Sequence, residues 1–269
     1  MGYEHIRLDV ADHIGWLWLD RAEKLNAMSA DMWADIPSAM AELNADEAVR
    51  VIIVAGRGRS FTVGIDLAML AGFDQEADSE ADRRTKLYRK VKQLQTTMSV
   101  FAESPKPVIA AVHGHCLGAG IDLISACDMR IASADAVFSV RETRMGLVAD
   151  VGTMQRLPNL IPPGHLAELV YTGRDIDATE AERIGLTNRT LPDVESLIDH
   201  ARELAASIAA NSPLVVQGAK QVLRAQADMS TAEALDHAAL WSASFLWSND
   251  LQEAMAAFVE KRDPDFTGT

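Results

Sequence analysis

An α/β core followed by a helical tail is the fold this sequence predicts, on three observations. Strand and helix patterns alternate from Ile6 to Val140, and beyond Thr153 the pattern is almost wholly helical. The 269 residues, 48% of them hydrophobic, suffice for one large core or a core with a small appended domain. Only 24% of residues are charged and apolar residues occur throughout, which excludes wholesale disorder.

The elements follow in order. Ile6-Arg7-Leu8-Asp9-Val10 alternates, and a turn at Ala11-Asp12-His13 leads to a second strand, Ile14 to Leu19. Ser29 to Leu43 reads as a helix, with Ser29 as N-cap and Asp31 in the first turn. Val51 to Val54 is a continuous apolar run ending at Gly56, the mark of a strand buried on both faces. Asp74 to Asp82 reads as an acidic loop, and Thr85 to Phe101 as a long helix closed by Glu103-Ser104-Pro105. Val108 to Val112 is a second buried strand and Gly118 to Ala126 a helix. Met129 to Ile131 and Val137 to Val140 are short strands around a polar turn. The seam between core and tail is expected between Asp193 and Asn211, giving a core of residues 1–200 and a helical region of 201–269. No repeat of fixed period is evident.

Charge narrows the partners. The formal net charge is −14 and the pI about 4.9, the wrong sign for a nucleic-acid partner, which needs clustered Lys and Arg. An anionic ligand would have to be held by a few local cations and backbone N–H groups. Cys116 and Cys127 have no ligand cluster around them and read as buried, reduced thiols. The start, Met1-Gly2-Tyr3-Glu4-His5, shows no basic region followed by an apolar one, so a cytoplasmic protein is expected. The most apolar segment, Pro107 to Cys127, is interrupted by His113, His115, Asp122 and glycines, so no membrane insertion is expected.

Three stretches can carry chemistry. Gly56 to Leu67 (Gly56-Arg57-Gly58-Arg59-Ser60-Phe61-Thr62-Val63-Gly64-Ile65-Asp66-Leu67) follows a buried strand, and its glycines leave N–H groups unpaired at the strand's carboxyl end; alone it reads as an ordinary strand-to-helix loop. In His113-Gly114-His115-Cys116-Leu117-Gly118-Ala119-Gly120-Ile121-Asp122-Leu123, a Gly-Ala-Gly run enters a helix and exposes its first-turn N–H groups, which suits an oxyanion. The spacing is not that of a dinucleotide-binding turn. Asp122, three residues after Ala119, should point near the same spot, or it simply favours the helix dipole. His113 and His115 read as satisfied loop histidines rather than metal ligands. In Phe138 to Thr153, Glu142 and Asp150 flank an apolar turn. Each has a plain reading too: Glu142 paired with Arg141 or Arg144, Asp150 as the N-cap of the next helix.

Together the three stretches resemble the enoyl-CoA hydratase/isomerase (crotonase) superfamily, over nearly the whole chain from Arg21-Ala22-Glu23-Lys24-Leu25-Asn26-Ala27 to Ala257-Phe258-Val259-Glu260-Lys261-Arg262. The resemblance implies a spiral of β-β-α turns with a C-terminal α-helical trimerisation region, assembled as a homotrimer or homohexamer. It implies an acyl-CoA thioester substrate, no cofactor beyond the CoA carried by that substrate, and no metal. It places an oxyanion hole at the N–H groups of Ile65 and Ala119, where a common family pattern has Gly in place of Ala119. Lys24 lies in a motif that contacts CoA in the family, and Lys261 resembles a lysine supplied by a neighbouring subunit; on charge alone either is equally a solvated surface lysine.

The hydratases most like this chain carry two glutamates, at the positions of Asp122 and Glu142. Gly120 to Arg130 and Gly146 to Pro158 instead resemble the Δ3,5-Δ2,4-dienoyl-CoA isomerase branch, which has three acids spaced as Asp122, Glu142 and Asp150. By that resemblance Asp150 is the base, Glu142 the acid and Asp122 a modulator of the pocket's charge, and at least one of the three should hold a proton at neutral pH. The alternatives are an enoyl-CoA hydratase, in which Asp150 would be idle, and a non-catalytic CoA-thioester or RNA-binding member. The net charge argues against RNA, and the retained acids argue against a dead site.

Overall fold

The computed structural model describes residues 2–71 and 77–269. The chain opens with a hairpin, β1 (Ile6–Ala11) and β2 (Ile14–Leu19), in which Ala11 faces Ile14. Asp12 and His13 both have positive φ, 52° and 64°, as a two-residue turn matching the strands' twist requires. Helix α1 (Ala30–Ala45) is capped by Ser29, whose hydroxyl accepts from the Met32 N–H. Strand β3 (Val51–Gly56) lies parallel beside β2, and after α2 (Leu67–Ala71) and α3 (Glu80–Glu103) strand β4 (Val108–Val112) lies parallel beside β3. Then come β5 (His115–Leu117), α4 (Ala119–Ala126), β6 (Met129–Ser133) and β7 (Val137–Ser139).

The remainder is mostly helical: α5 (Thr153–Arg156), α6 (Pro163–Thr172), β8 (Ile176–Asp177), α7 (Ala178–Arg183) and β9 (Arg189–Leu191). Four longer helices finish the chain: α8 (Val194–Ala209), α9 (Pro213–Ala225), α10 (Thr231–Phe245) and α11 (Asn249–Glu260). A main sheet has the order β1-β2-β3-β4-β6-β9, and a second has the order β5-β7-β8. Each turn of chain gives a strand to the main sheet and then a short one to the second, β4 then β5 and β6 then β7. The turn after β3 is marked by a single bridge from Thr62 to Cys116, and that after β2 by one from Met28 to Ile65. This is the expected β-β-α spiral, and it brings the loops after β3 and β4 side by side.

Every residue of β3 and β4 is buried. Alternate side chains leave on opposite faces, so the sheet builds two cores. Ile52, Val54, Val108 and Ala110 pack with residues of α1, α3 and α4, while Val51, Ile53, Ala55 and Ile109 pack under α8. Leu197, Ala201, Ala205 and Ala209 form one stripe of α8, and the alanines let the helix lie close on the strands. The expected boundary at residue 200 therefore falls inside a helix that packs on the sheet.

Two expectations change. The acidic loop expected from Asp74 to Asp82 lies partly outside the described residues, and its far end belongs to α3, which starts at Glu80 because Ser79 caps it at the Asp82 N–H. The region beyond Thr153 is not wholly helical: β9 extends the main sheet along β6, and β8 pairs antiparallel with β7. Strands of two and three residues carry no periodicity, and neighbours already in place select them. Trp241, on α10, covers the face of α9 at Gly218. Cys116 and Cys127 are buried free thiols, as expected.

Candidate active site

Ile65 lies in the loop after β3. Its bridge to Met28 is parallel: the Met28 N–H donates to the Gly64 carbonyl, and the Met28 carbonyl accepts from the Asp66 N–H. In that pattern Ile65's own N–H points away from Met28, and it donates to no group among the described residues. Ala119 is the first residue of α4, so its N–H has no partner within the helix. Gly64 and Gly118, immediately before these two residues, have φ of +90° and +53°. That backbone turns the following N–H out of regular pairing, at a position where only glycine is unstrained. A Cβ on Gly64 would also lie 2.7 Å from the Leu117 carbonyl oxygen and 3.4 Å from the Ala119 nitrogen, so glycine lets the two loops touch.

Both amides line a cleft of about 420 Å³ with Ala27, Val63, Leu67, Met145, Leu147 and Glu142. Met145, Leu147 and nearby Val148 are exposed. An apolar, open wall beside two free amides fits an extended hydrocarbon chain that ends in a polarisable carbonyl.

Glu142 starts a short 3-10 turn (Glu142–Met145), and its Oε1 would lie 3.4 Å from a Cβ on Gly118. Its Oε2 is buried and has no hydrogen-bond partner among the described residues. Burial, then the charge of Asp122, raise its pKa to about 7, so it can carry a proton at neutral pH. Asp150 is exposed at the surface end of the same loop, and partial desolvation raises its pKa above the usual aspartate value. It is not a helix cap: the N-cap of α5 is Gly152, with no side-chain bond. Asp150's charge acts on both Glu142 and Asp122, which puts the three acids in one electrostatic group.

Asp122 is placed differently from its expectation. It is 2% exposed and does not line the cleft; Oδ1 turns away to accept from the Thr153 N–H at 2.6 Å and the Thr153 hydroxyl at 2.7 Å. Burial raises its pKa to about 6 against the pull of those two bonds and of Arg156.

Lys24 ends a 3-10 turn (Ala22–Lys24), exposed, and its charge reaches Asp66 on the cleft wall. Lys261 is the αL residue that closes α11, and no residue of the C-terminal helices lines the cleft within this chain. His113 bonds the Gly58 carbonyl through Nε2, while its buried Nδ1 has no partner among the described residues, and His115 bonds the Ser60 hydroxyl through Nδ1.

Two residues the sequence reading passed over organise the site. Asn26, fully buried, donates to the carbonyls of Arg57 and Ser60 and accepts from the Arg21 N–H, tying residues 21–28 to the loop that carries Ile65. Thr153 holds Asp122. An Asn between a predicted strand and a predicted helix is the available signal for the first; nothing local marks the second.

A family model described as Enoyl-CoA hydratase/isomerase matches residues 10–269. The mitochondrial Delta(3,5)-Delta(2,4)-dienoyl-CoA isomerase of Dictyostelium discoideum is 39% identical, over 98% of this chain and 92% of that protein. The peroxisomal protein of the same name in Arabidopsis thaliana is 38% identical, over 98% and 96%. Among solved structures, the enoyl-CoA hydratase of Bacillus anthracis superposes with a TM-score of 0.90 at 33% identity, covering 99% of this chain and 100% of that one.

Proposed function

The chain belongs to the enoyl-CoA hydratase/isomerase family, and from that premise we propose that it is a Δ3,5-Δ2,4-dienoyl-CoA isomerase. The observation that carries this reading is the third carboxyl. A hydratase leaves Asp150 without a task, yet Asp150 does not cap α5, and its charge acts on Glu142, which lines the cleft with the two free amides. The full-length likeness to proteins of that name supports it.

A 3,5-dienoyl thioester has C2 protons acidified by the carbonyl and the adjacent alkene. Asp150 takes one of them as base. The charge spreads over a dienolate from the thioester oxygen to C6, and the N–H groups of Ile65 and Ala119 hold that oxygen, each lowering the barrier by about 3–4 kcal/mol. Glu142, kept protonated by its surroundings, delivers its proton to C6, and the conjugated 2,4-dienoyl thioester leaves. The turnover ends with Asp150 protonated and Glu142 ionised, so a proton must pass from one to the other, directly or through water, before the next. The residues that act on substrate are two carboxyls and two amides, and the step needs no cofactor beyond the substrate's own CoA.

Under this proposal Lys24, whose charge reaches Asp66 on the cleft wall, meets the CoA phosphates. In this reading Lys261 reaches them from a neighbouring subunit of a homotrimer or homohexamer. Phe258 and Trp247, 85% and 83% exposed, are large apolar groups that such an assembly would cover. No described helix is long and apolar enough to cross a membrane. Two unpaired buried thiols suit a reducing compartment, the cytoplasm among them, although the two relatives above are named mitochondrial and peroxisomal. The reaction belongs in this reading to the oxidation of unsaturated fatty acids.

The test is a comparison of substrates. Purified protein should convert 3,5-dienoyl-CoA to 2,4-dienoyl-CoA, followed by the absorbance of the extended conjugation. If it hydrates 2-enoyl-CoA much faster than it isomerises, it is a hydratase.

A further inference from the structure

Thr153 and Asp122 are 31 residues apart in sequence, and both are buried, at 0% and 2% exposure. A backbone N–H can only donate, so the 2.6 Å bond from Thr153 requires Oδ1 to be an acceptor, and the 2.7 Å bond from the Thr153 hydroxyl lands on that same oxygen. Two short bonds converging on one oxygen are the arrangement that an ionised carboxylate favours. Thr153 also begins α5 and closes the loop that carries Glu142 and Asp150.

We propose that Thr153 is the positioning residue of the acid–base pair: its amide and hydroxyl together hold Asp122 ionised, so that the proton the two buried acids compete for resides on Glu142. This rests on Glu142 being the proton donor of the reaction proposed above.

The charged groups around Asp122 agree. Arg156, on α5, favours its ionised form, and Arg156 is itself fixed by a bond to the Ser99 hydroxyl of α3. Glu142 and Asp150 face it from the loop, and each disfavours a second charge. Glu103, at the end of α3, and the Cys127 thiol act on Arg156. On β5, His115 is engaged with Ser60 and burial keeps the Cys116 thiol protonated. Asp122 and Glu142 are shifted to about 6 and about 7. The two acids titrate in the same range, so the loss of one hydrogen bond to Asp122 moves the proton they compete for toward Asp122.

The test uses three variants and two readouts. Thr153→Val removes the hydroxyl and keeps the amide, Thr153→Ser restores the hydroxyl, and Asp122→Asn removes the charge itself. Carboxyl-13C NMR of glutamate-labelled protein, with the Glu142 signal assigned from Glu142→Gln, reads the proton directly. Thr153→Val weakens Asp122's hold on its charge by about one pH unit, the size expected for one charge-assisted hydrogen bond, and should lower the Glu142 midpoint by up to about that much. Asp122→Asn should lower it at least as far, and Thr153→Ser should return it to within a few tenths. The pH profile of kcat should follow: the basic limb, where Glu142 loses its proton, moves to lower pH in Thr153→Val, with KM changed less than about twofold. A Glu142 midpoint unmoved in Asp122→Asn overturns the proposal even if Thr153→Val fails to fold. So does an equal shift in the Ser and Val variants, which would assign Thr153 to packing. If the midpoint moves as expected but the wild type does not isomerise 3,5-dienoyl-CoA, the functional reading fails and the assignment of the proton stands.

Discussion

Gly64→Ala tests whether the contact between the two loops builds the carbonyl-binding site. A Cβ at this position would sit 2.7 Å from the Leu117 carbonyl oxygen, about 0.7 Å inside the 3.4 Å at which ordinary contact begins. The obstacle is backbone, so no side chain can rotate out of the way. Alanine at φ near +90° adds strain of about 1–3 kcal/mol. The cheaper response is for the Ile65 segment to retreat from Gly118 and Ala119 by a comparable distance. A hydrogen bond of about 2.9 Å from the Ile65 N–H to the thioester oxygen would stretch to roughly 3.6 Å, beyond useful range. One donor lost from the pair lowers kcat by about 10²–10³. KM should change far less, because the acyl chain and CoA are held elsewhere. Steady-state kinetics with 3,5-dienoyl-CoA gives both numbers, and a circular dichroism melt separates site distortion from unfolding. A folded Gly64→Ala enzyme with kcat within threefold of wild type would refute the assignment of Ile65 as a donor.

Three further outcomes follow from the same geometry. Asp150→Asn should abolish both turnover and exchange of the substrate's C2 hydrogens in D₂O, while Glu142→Gln should turn over poorly yet still exchange them; near-normal exchange in Asp150→Asn would move the base to another acid. Glu142 binds its proton more tightly folded, at about 7 against an ordinary 4.5, so the native state loses stability as pH rises through that window. Glu142→Gln removes the loss and should be more stable than wild type at pH 8, by on the order of 2 kcal/mol after allowing for partial exposure, with no gain near pH 4; equal urea midpoints at pH 8 would contradict it. Light scattering should find a trimer or larger, and Phe258→Asp should weaken it, since that side chain is 85% exposed in the single chain; an active wild-type monomer would exclude the proposed assembly.

The features legible in the sequence are those with local causes. The two central strands follow from apolar runs too continuous for a half-exposed surface, and the Ser29 cap from a hydroxyl three residues before the amide it serves. The turn at Asp12 and His13 follows from its place between an alternating run and an apolar one. The glycines before Ile65 and Ala119 mark backbone freedom next to buried strands, while the choice of those two amides as an oxyanion hole came with the family resemblance. The identity of the three acids came with the motifs that carry them.

What only the tertiary structure decided depends on which turns of the spiral lie side by side. β8 and β9 exist because β7 and β6 offer free edges, not because two or three residues specify a strand. Gly64 meets Leu117 across 53 positions, and Asn26 joins loops that the sheet has already aligned. The sequence placed Asp122 near the first turn of α4 but could not say which way it faces. The stacking of α5 against α4 turns it toward Thr153, and so makes it a buried carboxyl bonded there rather than a group lining the cleft. A carboxyl's ionisation is set by burial and by its neighbours' charges, both summed over segments far apart in the chain. The division of labour proposed for the three acids therefore rests on the packing rather than on the sequence motifs.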